Sequence, residues 1–421
     1  MNLIYNTGIA LYAAAIKAAA PFHRKAALMT RGQARTFSLL SSLCKPGEKR
    51  VWVHAASLGE FEQGRPFIER LRREMPDVRI VLTFFSPSGY EVRKNFAGAD
   101  VVCYLPFDTP ANARRFVSIV SPVCAIFVKY EFWGNYLSAL AARGIPVFLI
   151  SAIFRPGQIF FRPWGGAFRR MLGSFTRIFV QDEASATLLA SVTSTPVTVA
   201  GDTRFDRVTD VLHTTFEIPA IESFARCAPA FTLIAGSSWP QDENLYIPWV
   251  NSRPDVRLII APHEFDSRRI ADLRASISGK CVTLSEIEEG KATANDARCI
   301  IVDCFGRLSS IYRYADAAYI GGGFGAGIHN INEAAVYGIP VFFGPRHSKF
   351  KEATDLLACG GALTFSTRQE FEAAMTRVSD PAWRRKAGSA AAAYIKANLG
   401  ATDIVWQEFK KIPLLSDSAV I

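Results

Sequence analysis

The chain has 421 residues, 49% of them hydrophobic and 20% charged, a folded globular composition too long for one ordinary core. Forty-eight Lys and Arg against 38 Asp and Glu give a formal charge of +10, which points to an anionic partner: nucleic acid, acidic lipid or a phosphorylated substrate. The excess reads as spread out, without a long Lys/Arg run. With no zinc-finger spacing and no RNP-type motif, nucleic acid is the weaker option.

Residues 3–21 are mostly apolar, with Lys17 inside and His23, Arg24, Lys25, Arg31 and Arg35 following. The stretch is short and Ala-rich for a spanning helix and lacks the basic start of a signal peptide. It fits a helix lying in the membrane interface with its basic flank on anionic lipid, and equally a plain amphipathic docking helix.

From Arg50 to Thr203 short apolar runs alternate with helical patterns such as 61–74 and 110–119. The strands expected are 50–54, 78–84, 101–104, 123–128, 146–151, 177–181 and 196–200. A second series expects strands at 231–235, 256–260, 281–283, 300–303, 317–320 and 340–343, with a helical end over 383–412. Such alternation predicts parallel sheets covered by helices on both faces, here two Rossmann-like domains facing a cleft. The division predicted is a membrane-associating segment over 1–35, a first domain over 36–205, a linker over 206–230, a second domain over 231–395 and a helical tail over 396–421. Eight cysteines form no CxxC pair and several sit in apolar runs, as in a reduced, cytosolic protein.

The segment Trp52-Val53-His54-Ala55-Ala56-Ser57-Leu58-Gly59-Glu60 carries a strand into a turn of small residues and then a helix. Glu60 thus stands at the sheet edge where open α/β folds bind ligands. It reads as a general base or as a first-turn carboxylate complementing the helix dipole, and the local pattern leaves both open. Ser57 and Gly59 belong to that turn, and Ser86 and Ser88 supply hydroxyls after the next strand. After the strand Ala125–Val128 come Lys129, Glu131 and Trp133, with Glu131 functional or half of a surface pair. Arg204, in Gly201-Asp202-Thr203-Arg204-Phe205-Asp206, is a candidate cation for carboxylate or phosphate.

In the second half the loop Gly321–Gly327 and the run His329-Asn330-Ile331-Asn332-Glu333 follow a strand. Glycines there let backbone amides approach a phosphate, Glu333 suits ribose hydroxyls, and Asn330 caps a helix or binds ligand. Pro262 with His263, Gly306-Arg307-Leu308, and Arg346 with His347 follow other strands of the same half. Together they suggest a nucleotide site. No His/Cys/Asp cluster has metal-ligand spacing, and no GxSxG elbow is present.

The order of these segments resembles the 3-deoxy-D-manno-oct-2-ulosonic acid (Kdo) transferases of lipopolysaccharide synthesis. HAASLGE (54–60), Ser-Pro-Ser-Gly (86–89), Glu131-Phe132-Trp133, GDTRFD (201–206) and GGG…HNINEAA (321–335) carry the resemblance. It implies an α/β, GT-B architecture with an N-terminal membrane-associating helix at the cytoplasmic face of the bacterial inner membrane. It implies CMP-Kdo as donor, bound mainly by the C-terminal domain, a lipid A precursor of the lipid IVA type as acceptor, and inverting transfer without metal or cofactor. By resemblance Glu60 is the general base, and Glu131 and Arg204 support the transition state. CMP contacts fall to Pro262, His263, Gly306, Arg307, Leu308, Asn330, Ile331, Asn332 and Glu333. The sequence departs from the family pattern at four places. Arg204 stands where many members have Lys, and Pro262-His263-Glu264 replaces Pro-Arg-His. Gly306-Arg307-Leu308 replaces Gly-Glu-Leu, and Trp133-Gly134-Asn135 replaces Trp-Pro-Asn.

Overall fold

The computed structural model describes residues 3–214, 217–227 and 231–413. Two short parts of the expected linker (215–216, 228–230) and the end of the expected tail (414–421) lie outside the described residues. Alternation of apolar side chains along each strand builds a sheet with two buried faces. The first sheet comprises β1 (Arg50–Ala55), β2 (Arg79–Phe84), β3 (Val101–Tyr104), β4 (Cys124–Val128), β5 (Val147–Ala152), β6 (Arg177–Val180) and β7 (Val197–Val199). Its order is β3-β2-β1-β4-β5-β6-β7, with every pairing parallel. Val51 and Val53 enter one core with Phe67, while Trp52 enters the other with Phe116 and Phe127. The order reverses between β1 and β4, so the turns after these strands flank the point where open sheets bind ligands.

The second sheet comprises β8 (Phe231–Ser238), β9 (Val256–Pro262), β10 (Cys281–Thr283), β11 (Cys299–Ile301), β12 (Ala317–Ile320), β13 (Val341–Phe343) and β14 (Ala362–Thr364). Its order is β10-β11-β9-β8-β12-β13-β14, all parallel, with the reversal between β8 and β12. Strand β14, just after Gly360-Gly361, is an addition to the expected set.

The chain forms two compact units, Met1–Asp206 with Gly400–Ile421, and Arg207–Leu399. The division differs from the expected one in three places. The first is the expected linker, which carries helices Arg204–Thr214 and Pro219–Arg226, the latter burying Ile221 and Phe224. Secondly, the expected C-terminal helix breaks at Gly400, whose φ of +97° suits glycine. The helix Pro381–Ala397 lies in the second unit, whereas Ala401–Phe409 returns to the first and buries Val405, Trp406 and Phe409 against Phe67. The Asp206 carboxylate fixes that return by accepting from Gly400 N and Thr402 N, both at 2.6 Å.

Thirdly, the N-terminal segment does not end at residue 35. Helix α1 (Leu3–Ala19) buries no residue, but α2 (Arg24–Leu43) runs on, with Met29, Gln33, Thr36 and Leu40 buried at helical spacing. Among the described residues no single helix is long and apolar enough to cross a membrane. The pair α1 and α2, bent by 115°, passes that test together by length and composition. All eight cysteines are free thiols.

Candidate active site

In the first unit the turn after β1 starts helix α3 (Leu58–Glu74) with Ser57 as N-cap. Glu60 is the third residue of that helix, and its Oε2 accepts from Ser57 N at 3.1 Å and from the Ser57 hydroxyl. The carboxylate therefore stands in the first turn, as the plainer reading of the sequence expects, where it also closes a capping box at the switch point. Oε1 makes no hydrogen bond among the described residues. Gly59 is exposed beside it. Ser86 caps the helix Pro87–Arg93, its Oγ accepting from Ser88 N at 3.3 Å.

Glu131 is no surface residue. It is 5% exposed, and its Oε2 meets Nε2 of the fully buried His54 at 3.0 Å. Trp133 Nε1 donates to the same oxygen at 2.5 Å. The other His54 nitrogen, Nδ1, lies 2.8 Å from Thr83 Oγ1, which also accepts from Trp52 Nε1 at 2.8 Å. A polar relay thus crosses β2, β1 and the turn after β4. Glu60 and this turn are within electrostatic reach. Burial first raises the Tyr130 phenol above its ordinary pKa, and the charges of Glu60 and Asp182 add to that against Arg155.

Arg204 is held by Asp202, with Nε at 3.0 Å and Nη2 at 2.7 Å from Oδ2. Gln63 of α3 donates to the same oxygen at 2.9 Å, which ties the helix carrying Glu60 to the arginine turn. Burial pushes the Asp202 carboxyl up, but the Arg204 charge and the hydrogen bonds outweigh it and hold the pKa below the ordinary value. His54 as the partner of Glu131, and Gln63 as the tether, were not expected from the sequence. Both depend on which strands adjoin.

In the second unit the structure brings three of the expected segments together. His263, just past β9, stacks on His329 with centroids 4.6 Å apart and on Trp239 at 4.4 Å. Trp239 Nε1 donates to His329 Nε2 at 3.1 Å. Trp239, absent from the expected set, sits after β8 at the switch point. Ser309 donates to Glu333 Oε2 at 2.5 Å, and Asn330 Nδ2 donates to Oε1 at 2.9 Å. This joins the 306–308 turn to the 330–333 run. Arg307 pairs with Glu288 at 3.3 Å. Ile331 and Asn332 are buried, and Asn332 Oδ1 has no hydrogen-bond partner among the described residues.

The glycine loop is committed in large part to its own structure. A Cβ on Gly321 would lie 2.1 Å from Ser237 O, and Gly322 has φ of +92°. The amides of Gly321, Gly322, Gly325 and Gly327 are already bonded, that of Gly322 to the buried Asp242 at 2.9 Å. Arg346 bonds back to Gly325 O at 2.6 Å. These groups hold the loop itself, which leaves His263, Asn332 and the 306–308 turn as the candidates for ligand contact. Among the described residues no three His, Cys, Asp or Glu side chains cluster as metal ligands.

Burial, with the charge of His263 adding, lowers the His329 pKa from 6.5 to about 4. An unfolded chain takes up this proton near 6.5, so its share of stability is complete above that pH. It falls as pH drops toward 4 and then levels off. Thermal unfolding of His329→Gln is expected to depend less on pH across this window than that of the parent. An equal dependence would place the titration elsewhere.

Residues 30–207 match the family model described as 3-Deoxy-D-manno-octulosonic-acid transferase (kdotransferase). The 3-deoxy-D-manno-octulosonic acid transferase of Bordetella pertussis is 28% identical over 373 residues, 84% of this chain and 85% of the relative. That of Aquifex aeolicus is 26% identical over 76% of this chain and 83% of its own. Over most of its length the chain is thus similar to 3-deoxy-D-manno-octulosonic acid transferases.

Its fold is that of GT-B proteins. The Neisseria meningitidis UDP-GlcNAc 2-epimerase bound to UDP-GlcNAc superposes with a TM-score of 0.59 at 15% identity, covering 86% of this chain and 100% of that one. MurG from Acinetobacter baumannii gives 0.54 at 12% identity, covering 85% and 99%. Against the family pattern, Gly134 has a structural consequence: its N–H donates to the Tyr5 hydroxyl of α1 at 3.1 Å, a bond proline cannot make.

Proposed function

We propose that this chain is a Kdo transferase that moves Kdo from CMP-Kdo to a lipid A precursor of the lipid IVA type, with inversion and without metal or cofactor, at the cytoplasmic face of the inner membrane. The observation that carries the reading is Glu60: the carboxylate of HAASLGE stands at the switch point with one oxygen on Ser57 and the other unbonded among the described residues. Glu60 takes the proton from an acceptor sugar hydroxyl as that oxygen bonds to the anomeric carbon of Kdo. The bond to the CMP phosphate oxygen breaks, and CMP leaves with the electron pair. Attack opposite the leaving group inverts the centre.

Glu131, oriented by His54 and Trp133, faces the positive charge that develops on the sugar, and Arg204 opposes the negative charge on the leaving side. In the second unit, His263 and the 306–308 turn hold the nucleotide, and Glu333 accepts from ribose. An unpaired buried acceptor costs about 1–3 kcal/mol, so a donor on the bound nucleotide that met Asn332 Oδ1 would be favoured. Rates of CMP release from CMP-Kdo, with and without the lipid acceptor, test the reading. Release that depends on the acceptor supports transfer. Release at the same rate without lipid would make the protein a hydrolase.

A further inference from the structure

We propose that an aromatic cavity beside Glu131 takes one acyl chain of the lipid acceptor. The proposal rests on the transfer reaction above and adds a subsite to it. The cavity has a volume of ≈ 460 Å3, within the range of about 300–1,000 Å3 usual for ligand sites. Tyr5, Tyr130, Phe132, Trp133, Phe160 and Phe168 line it, and no charged side chain does. The Trp133 indole that forms part of the wall also donates to Glu131 at 2.5 Å, so the cavity adjoins the polar relay.

The cavity excludes headgroups, and the charge around it identifies the kind of molecule it serves. Residues 1–47 contain no Asp or Glu, and neither do residues 132–181. The first stretch carries six Lys and Arg and the second six Arg, so the +10 of the whole chain is contained in these two stretches. The excess has no long Lys/Arg run, as the sequence reading has it, but it is concentrated in these two stretches. Tyr5 comes from the first stretch and Phe132, Trp133, Phe160 and Phe168 from the second, so the fold builds the cavity where the two acid-free stretches meet. Tyr5 is fixed there by its hydroxyl, which donates to Asp108 at 2.6 Å and accepts from Gly134 at 3.1 Å.

In the same two stretches, Leu3 is 80% exposed, Ile4 81% and Trp164 71%, and Arg162 and Arg170 are exposed as well. Cations outside an uncharged aromatic cavity complement an anionic amphiphile: phosphates on the arginines and an alkyl chain within. A phosphorylated, acylated sugar has both parts on one molecule.

Initial-rate kinetics on the full chain with CMP-Kdo test the subsite. The acceptors are a tetra-acylated phosphorylated glucosamine disaccharide and its fully deacylated form. Ile159→Trp fills the cavity and Phe168→Arg places charge in it, neither residue belonging to the transfer machinery. Each methylene excluded is expected to cost about fourfold. We therefore expect kcat/KM for the acylated acceptor to fall at least tenfold in both variants, with that for the deacylated acceptor within twofold of the parent. Equal losses on both acceptors, or no loss on the acylated one, overturn the subsite. Transfer to neither acceptor by the parent chain overturns the transfer reaction instead.

A binding arm then still reads the cavity without turnover. Bromine on an acyl chain of the acceptor is expected to quench Trp133, detected as quenching lost in Trp133→Phe. The same Trp133 quenching by brominated phosphatidylglycerol would show contact with bulk lipid and contradict an acceptor subsite.

Discussion

Glu60→Gln is expected to lower kcat by about 10²–10⁴-fold while leaving thermal stability close to that of the parent. The two halves of this result separate the two jobs of the side chain. As a cap, Glu60 needs only an oxygen that accepts from Ser57 N at 3.1 Å, and the glutamine amide oxygen supplies one. As a base it needs a carboxylate, which glutamine lacks. Glu60→Ala removes both, so it adds a stability loss of about 0.5–2 kcal/mol from the missing cap. Rates with CMP-Kdo and lipid acceptor, set beside thermal unfolding of both variants, check this. If Glu60→Gln retained near-parental turnover, Glu60 would be a capping residue alone.

The second large effect falls on Glu131. Its Oε2 is shared by His54 Nε2 at 3.0 Å and Trp133 Nε1 at 2.5 Å in an almost dry site. Glu131→Ala leaves both nitrogens without that acceptor. An unpaired buried nitrogen costs about 1–3 kcal/mol, whereas a stranded buried imidazolium costs about 3–5 kcal/mol. The size of the loss in urea unfolding therefore reports the charge on His54. Activity is expected to fall by about 10²-fold or more, as when one oriented electrostatic group is removed. Glu131→Gln keeps an acceptor oxygen and is expected to recover most of the stability but little of the activity. Full activity in the glutamine variant would make Glu131 a positioning residue for Trp133 and His54.

Much of this architecture is legible in the sequence because it depends on local pattern. All seven strands of the first sheet lie where the alternation of apolar runs and helices places them, since all but the half-buried edge strand β7 are buried on both faces. The turn holding Ser57 and Glu60 is equally local, a cap and its third residue. What the sequence leaves out is long-range. His54 and Glu131 are 77 positions apart and meet because β1 adjoins β4. Trp239 joins His263 because β8 adjoins β9, and no spacing rule signals it. The return of Ala401–Phe409 to the first unit is fixed by Asp206, almost 200 residues earlier, within a motif that reads as part of the active site. The glycine loop shows a structural demand that its composition does not reveal. Its composition suggests phosphate binding, yet Gly321 is required by the approach of Ser237 and Gly322 by its backbone angle.

The most direct test of the account is mass spectrometry of the lipid after incubation of the full chain with CMP-Kdo and a lipid IVA-type acceptor. Lipid heavier by one or more whole Kdo residues is expected, with one CMP released for each, and almost none of this with Glu60→Gln. CMP release with the lipid mass unchanged, or an unaltered yield from Glu60→Gln, would contradict this expectation.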